Sequence, residues 1–117
     1  MILAIDQGTT GTTISITTDL GHEVGSAYNE FQQYYPQPTW VEHDPLEIWQ
    51  VTQKSIEQAL SNAKLSATDI SCIGITNQRE TTVVWHKETG EPLYNAIVWQ
   101  CRRSADICQQ IKLLGKN

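Results

Sequence analysis

The sequence predicts an α/β fold in which helices pack on a mixed β-sheet. Three β-rich segments follow one another over residues 1–31 with short turns between them, which is typical of an antiparallel meander. A helical segment that begins near Pro45 then leads to an apolar, β-rich segment at residues 70–76. A meander, a helix and a buried strand in this order favour layered α/β architecture with a mixed sheet.

The meander is read from its hydrophobic pattern. Residues 1–5 form an apolar run, which predicts a buried strand, and residues 13–17 alternate strictly, which predicts a half-buried one. Residues 18–21 contain Asp and Gly and predict a turn. A third strand is expected over residues 23–31, weakened by Gly25.

A break and a helix follow the meander. Two prolines exclude helix and central strand from residues 34–40, whose aromatic side chains either anchor a long loop on the core or form a platform for a ligand. Asp44 can cap a helix whose first residue is Pro45, and Glu47 would complete a variant of the capping box. We expect the helix to end near Ala63 and to bury one stripe, made of Leu46, Trp49, Gln53, Ile56, Leu60 and Ala63. If Trp49 is fully buried, its replacement by alanine should cost about 3–5 kcal/mol.

The last third of the chain predicts two more strands and a second helix. Residues 70–76 read as an interior strand, and residues 81–85 resume strand character before a hairpin turn that places Gly90 at positive φ. Helical spacing runs from about Gln100 to Gly115. Arg102 and Arg103 would open that helix against its macrodipole, which suggests that another group neutralises them; the alternative is two exposed arginines.

The loop at residues 6–13 carries the first candidate site. Asp6 ends the first strand, and Gly8 and Gly11 would let the backbone approach a ligand and take positive φ. Hydroxyl and backbone N–H groups from the four threonines can converge on an anion, and Asp6 has the charge to hold a magnesium ion, directly or through water. The loop therefore predicts a phosphate and magnesium site in a β-hairpin, against the alternative of a threonine-rich turn that binds nothing; those threonines are Thr9, Thr10, Thr12 and Thr13.

The second candidate site is the polar run at residues 77–80, which follows the strand at residues 70–76. If this strand and the first one are parallel neighbours, both loops open into one cleft at their carboxyl ends. Arg79 and Glu80 are adjacent, so the backbone must turn there if both are to face one ligand. Together they supply fixed donors and a charged acceptor, which suit a small polyol, and Trp99 could pack on its carbon atoms. The alternative is a local ion pair and a core tryptophan.

Composition and charge exclude several classes of protein. The chain has 117 residues, 39% hydrophobic and 18% charged, which indicates one folded domain and no disorder. No apolar run approaches the length of a membrane span, and no basic leader argues for secretion. A net charge of −5 without a basic stripe speaks against nucleic acid as a partner.

Cysteine and histidine spacing gives no sign of a metal centre or a disulfide. Three cysteines are an odd number, and Cys101 and Cys108, seven residues apart on one predicted helix, are too far from each other for a bridge. We expect a reduced, cytoplasmic protein. His22, His43 and His86 form no ligand cluster and are expected at the surface or in packing.

Four stretches resemble the FGGY carbohydrate kinases, and within them the glycerol kinases. They are DQGTT at residues 6–10, TWVEHDP at 39–45, GITNQRETT at 74–82 and NAIVWQCRR at 95–103, and their order and spacing are kept along the whole chain. Such agreement is far more specific than any one of the motifs, and it favours the two sites over the alternatives given above.

The resemblance implies an actin-like, ribonuclease-H-like ATPase fold, with residues 1–117 as the N-terminal part of the first of two such domains. It implies transfer of the γ-phosphate of ATP to glycerol with Mg²⁺, giving glycerol 3-phosphate. The loop residues would contact the nucleotide phosphates and Asp6 the metal; those loop residues are Gly8, Thr9, Thr10, Gly11 and Thr13. Arg79 and Glu80 would bind the glycerol hydroxyls, and the indole of Trp99 would line the pocket.

Two departures from the family pattern qualify what the resemblance implies. Thr13 stands where the family has an arginine, and losing such a phosphate contact would cost on the order of 1.5–3 kcal/mol of nucleotide binding. The chain is also several times shorter than family members, so the general base and the second domain would lie beyond Asn117. We therefore expect residues 1–117 alone to be inactive, and to self-associate into a homo-oligomer through bare apolar surface. Two alternatives remain: another FGGY sugar kinase and a non-catalytic truncated module. The Asn-Gln-Arg-Glu run favours glycerol kinase over the first of them.

Overall fold

The computed structural model describes residues 1–115. Its main sheet has four strands in the order β3-β2-β1-β5 and a second, smaller sheet pairs β4 with β6. The strands are β1 (Ile2–Gln7), β2 (Gly11–Thr17), β3 (Glu23–Glu30), β4 (Glu42–His43), β5 (Cys72–Thr76) and β6 (Ala96–Ile97). The helices are α1 (Pro45–Ala63) and α2 (Ala105–Leu113), and a single 3₁₀ turn covers Ala67–Asp69.

The mixed sheet predicted from the sequence is confirmed. β1, β2 and β3 form an antiparallel meander, and β5 returns through α1 to pair with β1 in the parallel sense. The predicted turn between β2 and β3 is also present, with Gly21 at a φ of 82°. The parallel register sets Asp6 beside Thr76, so the carboxyl ends of β1 and β5 lie at the same edge of the sheet.

The core lies between α1 and one face of the meander. Leu3, Ile14, Ile16 and Ala59 are almost completely buried there. Gly25 permits this packing, because a Cβ at that position would lie 2.6 Å from the Cβ of Ala63. The glycine that weakens β3 as a strand is therefore what allows α1 to approach it.

Helix α1 begins and ends as predicted, with one difference in its cap. The Asp44 carboxylate accepts a hydrogen bond from the Leu46 backbone N–H at 2.9 Å, and Pro45 is the first helical residue. Glu47 does not complete a capping box: its carboxylate accepts hydrogen bonds from the Gln32 backbone N–H and the Tyr34 hydroxyl. It therefore fastens the segment after β3 to the helix.

The predicted buried stripe of α1 is confirmed in the second half of the helix, where Ile56, Leu60 and Ala63 pack against the core, and is wrong in the first half. The most deeply buried side chains of the helix are small ones, Thr52, Ser55 and Ala59, whereas Leu46 and Trp49 are 47% and 57% exposed. The hydroxyl of Thr52 donates to its own helix at the Ile48 carbonyl, so a hydroxyl can be buried on this face without loss of a hydrogen bond. Apolar spacing missed Thr52 and Ser55 because small polar residues are not counted as core by that criterion.

Two strand predictions in the second half of the chain also need correction. All five residues of β5 are exposed, because β5 is an edge strand and α1 does not reach over it among residues 1–115. Residues 81–85 form no continuous strand and pair only through isolated bridges, Thr82 with Ile97 and Trp85 with Pro92. The predicted hairpin turn between Trp85 and Pro92 is confirmed, with Gly90 at a φ of 76°.

A buried ion pair joins the small sheet to the segment before α2. Glu42, which is 1% exposed, lies 2.7 Å from the Arg103 guanidinium and also accepts hydrogen bonds from Tyr94 and Asn95. The guanidinium in turn lies 3.8 Å from the ring centre of Trp40. Glu42 is thus the group that neutralises the charge of Arg103, as the sequence suggested for this pair of arginines. Trp40, in the segment at residues 34–40, packs as an anchor.

Helix α2 starts five residues later than the spacing from Gln100 predicted. Both arginines and Cys101 therefore precede it, and Cys101 and Cys108 do not share a helix. All three cysteines are free thiols. None of the helices described over residues 1–115 combines the length and apolar content that a membrane crossing requires.

Candidate functional site at the carboxyl ends of β1 and β5

A cavity of about 430 Å³ opens where β1 and β5 end. Because the two strands are parallel neighbours, the loop after β1 and the turn after β5 both reach its walls. Residues from three separate parts of the chain line it: Asp6, Gln7, Gly8, Thr9, Asn77, Gln78, Arg79, Glu80 and Trp99. The two loops singled out in the sequence therefore share one cleft.

The first wall is the tight hairpin loop between β1 and β2. It is closed by a hydrogen bond from the Gly8 backbone N–H to the Gly11 carbonyl at 3.0 Å. The expected positive φ at Gly8 and Gly11 is wrong, since neither lies in the left-handed region. Gly11 is needed for another reason: a Cβ there would overlap the Asn29 carbonyl oxygen and the Tyr28 ring.

The loop residues divide between the cavity and the strand. Gly8 and Thr9 line the cavity, whereas Thr10, Gly11 and Thr13 lie outside its lining. Thr13 is directly opposite Asp6 in the β1–β2 register, so both side chains project from the same face of the sheet, away from α1. Thr13, which replaces an arginine of the family that this sequence resembles, thus lies next to Asp6, the candidate metal ligand.

The second wall is the turn that contains Arg79 and Glu80. Glu80 has a φ of 58°, a left-handed conformation that is uncommon for a residue with a Cβ. This is the backbone turn required for two successive side chains to face one ligand, and both residues line the cavity. Unfavourable backbone conformations of this kind cost on the order of 1–3 kcal/mol and concentrate at functional sites.

The third wall is the indole of Trp99, which is 52% exposed. Its Nε1–H donates a hydrogen bond of 3.0 Å to the Thr9 hydroxyl, so the tryptophan contacts the loop after β1 directly. Val98 holds the residue in place, because its side chain is buried and its backbone N–H donates to the Val41 carbonyl. The indole also borders a second cavity of about 610 Å³ on the side of α2.

The donor set of the cavity fits a magnesium ion that is held mainly by phosphate. Asp6 and Glu80 are the carboxylates in the lining, and no cluster of three or more potential metal ligands occurs among residues 1–115. Magnesium is commonly bound through one or two carboxylates, with substrate phosphates and water completing its shell. Asp6, at the base of the hairpin loop, meets that requirement for one ligand.

Several polar residues at this site were not assigned from the sequence. Gln7, Asn77 and Gln78 line the cavity beside the residues that were assigned, and Asn77 and Gln78 belonged to the polar run that marked the second loop. Gln7 Oε1 accepts a hydrogen bond from the Thr12 hydroxyl at 3.0 Å and lies 3.1 Å from the Thr52 hydroxyl oxygen. That bridge between β1, β2 and α1 depends on tertiary packing and leaves no periodic signal in the sequence.

Comparison with known proteins gives a consistent result. The profile of the FGGY family of carbohydrate kinases, N-terminal domain, matches residues 1–117. Curated relatives named glycerol kinase include one from Leptospira biflexa, 60% identical over 95% of this chain, and one from Escherichia coli, 52% identical over 97% of it. The chain spans 22% and 23% of the length of these two relatives.

Solved structures agree with the sequence comparison. Plasmodium falciparum glycerol kinase, crystallised with ADP, superposes with a TM-score of 0.88 at 36% identity, over 96% of this chain and 22% of that one. A gluconate kinase from Lactobacillus acidophilus gives a TM-score of 0.89 at 24% identity, over 98% of this chain and 23% of that one, and shows the fold alone. The described residues therefore have the actin-like, ribonuclease-H-like architecture of these kinases.

Proposed function

This chain belongs to the FGGY family of carbohydrate kinases, and on that premise we propose that the complete protein that contains it transfers the γ-phosphate of ATP to glycerol. The observation that carries the proposal is the shared cavity, in which a threonine- and glycine-containing loop faces the Arg79–Glu80 turn. The curated relatives named glycerol kinase, at 51–60% identity, support glycerol as the acceptor.

We assign the polyol side of the cavity to Arg79, Glu80 and Trp99. The guanidinium can donate to two neighbouring hydroxyls, and the Glu80 carboxylate can accept from a hydroxyl of the same molecule. Trp99 offers an apolar face for the carbon atoms. A cavity of about 430 Å³ has ample room for a three-carbon alcohol beside a terminal phosphate.

We assign the phosphate side to the hairpin loop, with Gly8 and Thr9 nearest the cavity and Thr10, Gly11 and Thr13 behind them. ATP bound here would supply the phosphoryl group, and a magnesium ion bound with it would offset the charge on its phosphates. Asp6 would hold that ion, directly or through water. Catalysis of phosphoryl transfer depends on positioning and electrostatics from both sides of a cleft, so we place the general base outside this chain.

Steady-state kinetics of the complete protein test the proposal. We expect ATP-dependent formation of glycerol 3-phosphate, and no comparable activity on a panel of pentoses and hexoses. Arg79→Ala should raise the KM for glycerol about 10- to 100-fold, because charge-assisted hydrogen bonds contribute about 1.5–3 kcal/mol. Arg102→Ala is the matched control, since this exposed arginine lies outside the cavity and should leave the KM unchanged.

Two other results would replace the proposal. Preferred turnover of a pentose or hexose would make the protein a different FGGY sugar kinase. Absence of turnover with every acceptor, together with absent ATP binding, would favour a non-catalytic module, the reading to which Thr13 in place of arginine points. The 117-residue chain alone should show no turnover in either case.

A cytoplasmic location and a homo-oligomeric assembly complete the proposal. The free thiols of the chain support a reducing compartment, where ATP is also available. The exposed apolar residues of β5, Ile73 and Ile75, support self-association of residues 1–117. Sedimentation of that chain as a clean monomer would contradict the assembly.

A further inference from the structure

Thr9 is held at two points by residues from other parts of the chain. Its hydroxyl oxygen accepts a hydrogen bond of 3.0 Å from the indole Nε1–H of Trp99. Its backbone carbonyl accepts one of 3.0 Å from the side-chain amide of Gln33. The hairpin loop is closed beside it by the bond from the Gly8 N–H to the Gly11 carbonyl. Both the backbone and the side chain of Thr9 are therefore fixed relative to the cavity that this residue lines.

The indole that holds the hairpin loop is itself attached to a well-fastened part of the chain. The backbone N–H of Val98 donates to the Val41 carbonyl at 3.2 Å, and the Val98 side chain is buried. The backbone N–H of Arg102 donates to the Thr39 carbonyl at 2.9 Å. These bonds fix the main chain before and after Trp99. The indole N–H thus has a set position from which it can orient a group on the loop.

The polarity of the bond between Trp99 and Thr9 determines what the threonine hydroxyl can do. An indole N–H can only donate, whereas a hydroxyl carries one proton and two lone pairs. The Thr9 oxygen must therefore be the acceptor, and its own proton is left for a different partner. Because Thr9 lines the cavity, a phosphate oxygen bound there is a strong acceptor for that proton. Without the indole, the hydroxyl could rotate and present a lone pair to the same anion, which would weaken binding.

We propose that Trp99 is a positioning residue for the phosphate side of the site, because its N–H orients the Thr9 hydroxyl as a donor to a phosphate oxygen of the nucleotide. This inference deepens the proposed function and rests on its nucleotide-binding part. It gives the indole N–H a role that packing of the indole face against a polyol does not require. The role is exerted without any polyol in the cavity, so the two contributions of Trp99 can be measured separately.

Calorimetric binding of a non-hydrolysable ATP analogue with Mg²⁺ to the complete protein, without glycerol, measures the contribution to the phosphate side alone. Trp99→Phe keeps an aromatic face and removes the donor, so it should raise the Kd of the analogue about 2- to 10-fold, as the loss of one neutral hydrogen bond implies. Thr9→Val removes the hydroxyl and should raise that Kd about 10- to 100-fold, as the loss of a charge-assisted hydrogen bond implies. Trp85→Phe is the matched control, since Trp85 is an exposed tryptophan outside the cavity and its replacement should leave the Kd unchanged.

The double variant tests whether the indole acts through the threonine. In the Thr9→Val background, Trp99→Phe should cause no further rise in the Kd, because the group that the indole orients is already gone. Thr9→Ser keeps the hydroxyl and should restore both tight binding and the effect of Trp99→Phe. An unchanged Kd for Trp99→Phe alone would overturn the inference. The same fold-increase with and without the Thr9 hydroxyl would also overturn it, because a merely structural role predicts that result.

A second replacement keeps the test decisive should Trp99→Phe fail to fold. Benzothienylalanine at residue 99 preserves the shape of the ring and has sulfur in place of the N–H, so it should raise the Kd of the analogue as Trp99→Phe does; an unchanged Kd would overturn the inference. Failure of the proposed function gives a different result. Analogue binding with the expected changes, but without phosphorylation of glycerol, would contradict the proposed function and support the role of Trp99. Absence of analogue binding by the wild-type protein would overturn both.

Discussion

Replacing Glu42 should destabilise the chain more than any substitution on its surface. Its buried carboxylate accepts three hydrogen bonds, from Arg103 at 2.7 Å, Tyr94 at 2.9 Å and Asn95 at 3.0 Å. Glu42→Ala leaves the guanidinium, whose side chain is 18% exposed, without its counter-charge. Breaking a buried pair in this way typically costs about 3–5 kcal/mol.

Most of that free energy is a penalty for the partner left behind and not the net value of the ion pair. Arg103→Ala should therefore also destabilise the chain, and the double variant should be more stable than the sum of the two single effects predicts. Glu42→Gln removes the charge but retains one oxygen, and it should cost about 1.5–3 kcal/mol, the contribution of a charge-assisted hydrogen bond.

Urea denaturation followed by tryptophan fluorescence measures these differences in the free energy of unfolding. Glu57→Gln is the matched control, because Glu57 is exposed on α1, and it should change stability by no more than about 0.5 kcal/mol. A loss below about 1 kcal/mol for Glu42→Ala would refute the reasoning, since it would mean that water reaches and solvates Arg103.

The same carboxylate should make stability depend on pH. Burial raises the pKa of Glu42, but the hydrogen bonds from Arg103, Asn95 and Tyr94 outweigh it and hold that pKa below its ordinary value. Its contribution is thus complete above the ordinary carboxyl pKa and is lost as the pH falls through the lowered one. Burial also lowers the pKa of His43, so protonation of this ring destabilises the fold in acid as well. The difference in free energy of unfolding between wild type and Glu42→Gln therefore isolates the carboxylate. This difference should shrink as the pH falls toward 3, and a constant difference would contradict the assignment.

Two further predictions concern the packing of α1 in the same denaturation assay. Gly25→Ala should destabilise the chain by about 1–3 kcal/mol, since its Cβ would lie 2.6 Å from Ala63 and 2.8 Å from the Ala59 carbonyl; no loss would mean that α1 can shift freely. Trp49→Ala should cost less than about 1 kcal/mol, because the indole is 57% exposed, and a loss of 3 kcal/mol or more would show that it is buried in solution.

Local patterns predicted the meander, α1 and β5, and the shared cleft followed from the rule that parallel neighbours open at the same edge of a sheet. Alternating and apolar runs marked the strands, Asp44 and Pro45 marked the start of α1, and a polar run after an apolar strand marked the second loop. The need for a backbone turn at Glu80 followed from strand geometry, and the positive φ observed there agrees with it.

What escaped prediction depends on contacts between distant parts of the chain. The deeply buried residues of α1 include Thr52 and Ser55, which carry no hydrophobic signal. The bond between Trp99 and Thr9 joins residues 90 positions apart. His43 looked like an ordinary packing residue, and only its hydrogen bond to Gln33 connects it with the site.

The most direct test of the account is a crystal structure of the complete protein with glycerol and a non-hydrolysable ATP analogue. We expect a glycerol hydroxyl within hydrogen-bond distance of Arg79 and of Glu80, its carbon atoms against the indole of Trp99, and the terminal phosphate beside the loop at Gly8 and Thr9. Glycerol bound elsewhere, with the cavity at the ends of β1 and β5 occupied by neither ligand, would contradict it.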